Sequence, residues 1–241
     1  MDYELRSVCA AYGGEPVLRD ISLGFAPKSI TVVLGPSGCG KSTLLNVIAG
    51  LKAVDSGRRL GFDGARFSYA FQEPRLLPWL CARDNAAFAL SGALGREEAR
   101  LRVDRFMEAA GLAGAADRLP SALSGGMKQR LSLVRAFSFP SELLLLDEAF
   151  QAVDLRTKLE LMDVFLKLWR EEERTVICVT HDIDEAIYLA DNVVALSDRP
   201  AEVIDQFTVD VPRDERSLGA GVTAEAEARL YRTVLSRPDN A

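Results

Sequence analysis

The nine residues "GPSGCGKST", 35 to 43, constrain this chain more than any other stretch. They fit the pattern G-x-x-x-x-G-K-[ST]. An apolar run rich in β-branched residues, "SITVVLG", leads into them, and a segment with helical spacing follows. A strand feeding a glycine-rich turn that opens a helix makes a cradle for phosphate. Gly35, Gly38 and Gly40 let the backbone turn tightly with N–H groups facing phosphate oxygens, and the helix N-terminus adds a favourable dipole. Lys41 would reach the β- and γ-phosphates of a nucleotide, and the Ser42 hydroxyl would hold Mg²⁺. Pro36, Ser37, Cys39 and Thr43 complete the loop. Beside Lys41 the Cys39 thiol could have a lowered pKa, so it reads either as a redox handle or as a small tolerated side chain. In the following helix, Leu44, Val47, Ile48 and Leu51 fall on one face, with Gly50 near the end.

Residues 3 to 33 read as strands, with turn signals at Gly13–Gly14 and Pro27. From about 83 to 139 the pattern turns helical: Val103, Phe106, Met107 and Ala110 form one stripe, Glu97 and Glu98 lie in the first turn, and Gly111 is a stop. Strand-like runs return at 143–147, 175–180 and 192–197. Between the first two, Leu155, Leu159, Met162, Leu166 and Trp169 keep helical register behind a predicted N-cap, Asp154. Runs such as "LLLLD", with no alternation, suit strands buried on both faces of a parallel sheet. The expectation is an α/β core interrupted by a helical insertion, with a short closing helix over 223–235.

Chemistry gathers where two of these strands end. Asp147 and Glu148 follow the four leucines, and ligands of open α/β sheets sit at the carboxyl ends of strands. Asp147 suits the shell of a hard cation bound to phosphates. Glu148 can orient and deprotonate an attacking water. The chain's single histidine, His181, follows "TVICVT"; alone, such a residue is more often structural than catalytic. In "LSGGMKQR", 123 to 130, Ser124 can cap a helix, and Gly125 and Gly126 permit close backbone approach, with the positive helix end facing outward at an anion.

Composition narrows the classes. With 48% apolar and 27% charged residues among 241, the chain has ample material for a core. A net charge of −6 argues against a general nucleic-acid binder. Four scattered cysteines with one histidine argue against a Cys/His zinc site and suit reduced thiols of a cytosolic protein. The N-terminal residues do not read as a signal peptide, and no run approaches the ~20 apolar residues of a membrane span.

Taken together and in this order, the 35–43 loop, "LSGGMKQR", "LLLLDE" and the histidine after the next strand resemble the ATP-binding-cassette family over roughly residues 3 to 210. The resemblance implies a P-loop NTPase (RecA-like) α/β core with an N-terminal antiparallel β subdomain and an inserted α-helical subdomain. Its expected boundaries are 1–82 and 140–210 for the core, 83–139 for the helical part and 211–241 for a helical tail. It implies ATP and Mg²⁺ as ligands and a head-to-tail homodimer in the ATP-bound state, in which Ser124, Gly125 and Gly126 cap the γ-phosphate held by a second copy. Further roles come by the same route. Gln72 would sense Mg²⁺ and the γ-phosphate, Asp154 would cross the dimer interface, and His181 would hydrogen-bond the γ-phosphate beside Glu148. Tyr12 would stack on adenine, or else is a half-buried strand tyrosine.

Within the family, "FQEPRLLPWL" and "VTHDIDEAIYLADNVVALSDRP" look most like importer ATPases of the nitrate/sulfonate/taurine type. That implies membrane permease subunits, an extracytoplasmic solute-binding protein, no nucleic acid, and a cytoplasmic place on the inner face of the membrane. Leu76, Leu77, Pro78, Trp79 and Leu80 are either a socket for the permease or internal packing of the helical insertion. A non-transport cassette of DNA repair or translation is the alternative, but the stretch between Lys41 and Asp147 holds no sustained heptads and the chain holds one cassette. A P-loop kinase would leave "LSGGMKQR" and His181 without roles. One departure stands out. The usual "DEPFGALD" is here "DEAFQAVD", with Ala149, Gln151 and Val153 at the changed positions. Slow or weakly coupled turnover is the expectation from that loop.

Overall fold

The computed structural model describes residues 3–151, 154–216 and 223–235. In chain order its elements begin with β1 (Tyr3–Tyr12), β2 (Glu15–Phe25), β3 (Ile30–Leu34), α1 (Lys41–Ile48), β4 (Ser56–Leu60) and β5 (Phe67–Ala70). Next come α2 (Ala82–Ala87), α3 (Arg96–Ala109), α4 (Gly125–Ser138), β6 (Leu143–Asp147) and α5 (Leu155–Glu171). Last are β7 (Thr175–Thr180), α6 (Ile183–Leu189), β8 (Asn192–Leu196), β9 (Val203–Thr208) and α7 (Ala224–Leu235). Two compact units divide between Ala65 and Arg66 and again between Arg174 and Thr175.

In the first unit, β2, β1 and β4 form an antiparallel sheet in that order. Its alternating pattern buries Leu5, Val8, Ile21 and Phe25 on one face, where Tyr3 and Phe25 meet Phe62. A second sheet of this unit runs β7, β3, β8, β9. The first three are parallel, and β9 closes the edge antiparallel. Every residue of β3 and β7 is buried, as their unbroken apolar runs predict. The Ala201 N–H donates to the Val17 carbonyl and the Arg19 N–H to that of Ala201, which ties β2 to the segment before β9.

The second unit pairs β5 and β6 in parallel and carries α2 to α5. Leu143 to Leu146 are fully buried. A run of rings, Phe106–Phe137–Phe165–Phe150, packs at centroid spacings of 6.0, 5.8 and 5.6 Å. Each buried ring or leucine contributes roughly 1.5–3 kcal/mol through removal of apolar surface from water. Val103, Phe106, Met107 and Ala110 are buried as one stripe of α3, and Gly111 follows with φ +69°.

Two apolar positions depart from the predicted faces. Leu51 lies beyond the end of α1 and is 74% exposed, because the helix closes at Ile48 with Ala49 as its cap. Leu155, the first residue of α5, is 65% exposed. A residue in a first or last turn is not bound to the stripe that the helix body buries. Strands β4, β5 and β9 escape the sequence reading: "SGRRL" is polar, "FSYA" is four residues long, and "VIDQFT" is a half-exposed edge. Among the described residues no helix is long and apolar enough to cross a membrane.

Candidate functional site

The first unit holds the loop 35–43 and His181. Between β3 and α1 the loop is closed by its own lysine, for Lys41 Nζ donates to the carbonyls of Gly35 and Pro36, each at 2.9 Å. Lys41 and Cys39 are only 5% and 2% exposed. Backbone angle or close packing favours glycine at three loop positions. A Cβ on Gly35 would come within 2.9 Å of Cys39 Sγ. Gly40 has φ +126°, and a Cβ there would come within 2.8 Å of Val17 Cγ1, so β2 presses directly on the loop. Gly38 has φ +78° with open space where its Cβ would stand. The result is a ring of backbone held from below, with Ser37, Gly38 and Ser42 toward solvent.

The Gly35 N–H donates to the carbonyl of Thr180, so the loop and the end of β7 are directly joined. One residue on is His181, exposed, at the start of α6. Asp182 caps that helix by accepting from the Glu185 N–H at 3.1 Å. Tyr12, at the tip of the β1–β2 hairpin, is 49% exposed, with Lys52 Nζ 5.2 Å from its ring centre.

In the second unit Asp147 ends β6 and Glu148 follows with φ +49°. That left-handed backbone costs a non-glycine residue roughly 1–3 kcal/mol, and such strain clusters at functional sites. The Tyr69 hydroxyl donates to Asp147 Oδ2 at 3.1 Å. Burial first, then the Asp147 charge, push the Tyr69 phenol well above its ordinary value, so it remains a donor. Ala149 and Phe150 are buried, and the Gln151 N–H returns to the Glu148 carbonyl. Val153 lies outside the described residues.

Leu123 is buried, but Ser124 and Gly125 are exposed. The Ser124 hydroxyl accepts from the Met127 N–H at 3.3 Å and so caps α4 as predicted, an effect of about 1 kcal/mol. Asp154 caps α5 by accepting from the N–H and hydroxyl of Thr157, and these bonds hold its carboxyl below the usual carboxylate range. The two helix starts are neighbours: a Cβ on Gly126 would stand 3.0 Å from Thr157 Cγ2, and Arg130 pairs with Glu160 at 2.8 Å.

Gln72 is exposed, and its backbone is fixed to α4. The buried Gln129 donates to the Gln72 carbonyl at 3.0 Å, and Arg135 donates to the carbonyls of Pro74 and Arg75 at 2.6 and 2.9 Å. Sequence reasoning missed Gln129, Arg135 and Tyr69. Their polar side chains at otherwise apolar helix and strand positions were the available signal. Further along, Asn85 binds the backbone of Leu77, Leu80 and Cys81 with four hydrogen bonds. Trp79 stands 71% exposed on that loop, so it does not pack inside the helical insertion.

The donors suit a nucleotide and a hard cation. Among the described residues no cluster of three or more His, Cys, Asp or Glu side chains could hold a metal by itself.

Residues 18–151 match the family described as ABC transporter. An aliphatic sulfonates import ATP-binding protein of Burkholderia cenocepacia is 44% identical over 221 residues, 88% of this chain and 81% of that protein. A protein of the same description from Pseudomonas savastanoi is 42% identical over 224 residues, 92% of each. Among solved structures, cbiO1 of Clostridium perfringens, part of the ABC transporter complex cbiONQ, has a TM-score of 0.78 at 25% identity, covering 98% of this chain and 96% of that one. The dimeric MJ0796, a bacterial ABC transporter cassette, has a TM-score of 0.74 at 29% identity, covering 87% and 100%. With its phosphate loop, its Ser124-capped helix and relatives this similar over most of their length, the chain belongs to the ABC transporter family of ATP-binding, ATP-hydrolysing cassettes.

Proposed function

We propose that this chain is a single cassette that powers an importer, two copies closing head to tail on two ATP molecules. Lys41 and the loop amides of 35–43 bind the β- and γ-phosphates, and Tyr12 stacks on the adenine. Ser42, Gln72 and Asp147 would hold magnesium. That ion, when bound, neutralises charge between the β- and γ-phosphates. Glu148 orients the attacking water and takes its proton, and His181 donates a hydrogen bond to the γ-phosphate as charge develops there. Ser124, Gly125 and Gly126 reach the nucleotide of the second copy, with Asp154 crossing beside them.

The observation that carries this reading is the pairing of a closed, lysine-stapled loop with an exposed, capped helix start. The first can grip a triphosphate within one chain. The second offers N–H groups at an exposed start, where a Cβ on Gly125 would meet no atom of the described residues within 4 Å. At the inner face of the membrane, hydrolysis reopens the dimer and drives a permease fed from the other side by an extracytoplasmic solute-binding protein. The exposed Trp79 and its neighbours from Leu76 to Leu80 are the docking surface on this side. The relatives described as aliphatic sulfonates import proteins support a small sulfonate as the solute.

Glu148→Gln tests the chemistry. Nucleotide binding should persist, the ATP-bound dimer should accumulate on size exclusion, and turnover should fall at least ~100-fold. Turnover near the unsubstituted rate would remove Glu148 from the base role.

A further inference from the structure

Thr180 stands at a junction that the reaction scheme leaves unused. It is completely buried, as is Glu185. Its carbonyl accepts the Gly35 N–H of the phosphate loop at 3.2 Å. Its hydroxyl accepts the Asp182 N–H at 3.1 Å and donates its one proton to Glu185 Oε2 at 2.6 Å. The Glu185 N–H in turn donates to Asp182 Oδ1. These bonds close a small polar ring around the peptide units on both sides of His181, with its Thr180–Glu185 side buried and its Asp182 side half-buried. An exposed side chain on the first residue after a strand would ordinarily sample many backbone directions. Here the residue before it and the residue after it are fixed to one hydroxyl, and that hydroxyl's residue is fixed to the loop.

We infer that Thr180 is a positioning residue that sets the direction of His181 relative to the 35–43 loop, through its hydroxyl's bonds to Asp182 and Glu185. The inference rests on the proposed role of His181 at the γ-phosphate. A valine at 180 keeps the β-branched shape that β7 favours but removes the hydroxyl. A serine keeps the hydroxyl.

His181 is the chain's only histidine, so its imidazole gives an unambiguous NMR signal in the untagged full-length chain. The chain, labelled at histidine, is titrated with Mg²⁺ and a non-hydrolysable ATP analogue. The signal should move in the unsubstituted chain and in Thr180→Ser, and should move less or broaden in Thr180→Val. In steady state, Thr180→Val should lower kcat roughly ten- to hundredfold, the range expected for a misdirected reactive group, with KM for ATP little changed. Adding Thr180→Val to His181→Ala should cost nothing further. If Thr180→Val folds poorly by circular dichroism, Thr180→Cys serves instead, since a thiol is a weak donor and weak acceptor that tolerates burial.

The outcomes separate. A normal kcat and a normal imidazole shift in Thr180→Val or Thr180→Cys, with His181→Ala slow, would overturn the inference and leave the His181 role standing. A normal rate in His181→Ala would overturn both.

Discussion

The loop at 35–43 and the helix start at 124–126 are both proposed to offer backbone N–H groups to an anion, yet they are built in opposite ways. The loop is closed on itself: Lys41 staples it from within, and β2 packs where the side chain of Gly40 would be. The helix start is open. Ser124 supplies a cap, Gly125 has no neighbour among the described residues within 4 Å of where its Cβ would stand, and the order lies behind it, where α4 is held by other residues. A site complete within one chain must enclose its ligand. A site that serves a second copy must stay accessible and be rigid from the rear.

That contrast can be broken most directly at its two centres. Lys41→Ala should abolish ATP binding by the isolated chain, and retained micromolar affinity in equilibrium dialysis would contradict the cradle. Gly125→Asp has room for its side chain and places a carboxylate at a helix start, where it does not harm the helix. It should leave ATP affinity of the monomer intact but prevent the ATP-bound dimer, because the added charge repels phosphate. A loss of monomer affinity would mean that the two regions are not separable.

A smaller effect concerns the departure at 149–151. Ala149→Pro with Gln151→Gly restores the usual pattern next to Glu148 and should change ATPase rate or dimerisation a few-fold. An unchanged rate and dimer would dismiss the expectation of weak coupling. The smallest effect sharpens the account of the rear support of α4. Its last carbonyls, from Ala136 to Phe139, receive donors from Arg102 and the buried Arg174, and both arginines bind Glu172. Burial would raise the Glu172 carboxyl, but Arg102 and Arg174 outweigh it and hold it below its ordinary value. Such a group contributes stability fully above roughly pH 4.3 and loses it as pH falls through its lowered pKa. Thermal unfolding followed by circular dichroism should therefore show a steeper acid loss for the unsubstituted chain than for Glu172→Gln.

Much of this was legible without coordinates. Ser124 and Asp154 were predicted as caps and are caps, because an N-cap is a bond three residues long that spacing alone can encode. The buried strands were legible for the same reason, since an unbroken apolar run has nowhere else to go. Trp79 was ambiguous, and Leu51 and Leu155 were misassigned, because exposure at an element's end depends on what packs beside it.

The order of residues by itself determined the phosphate loop, the helix caps, the parallel core strands and the family. Each is set by residue types at short fixed intervals: glycine and lysine in the loop, serine and aspartate at the caps, leucine, valine and isoleucine in the strands. Only the tertiary structure decided that Tyr69 would bond Asp147, that Arg135 would hold the carbonyls after Gln72, and that the Thr180 carbonyl would accept the Gly35 N–H of the loop. Such partners lie dozens of residues apart or in different elements, and their meeting is fixed by strand register and helix packing, which no local spacing records.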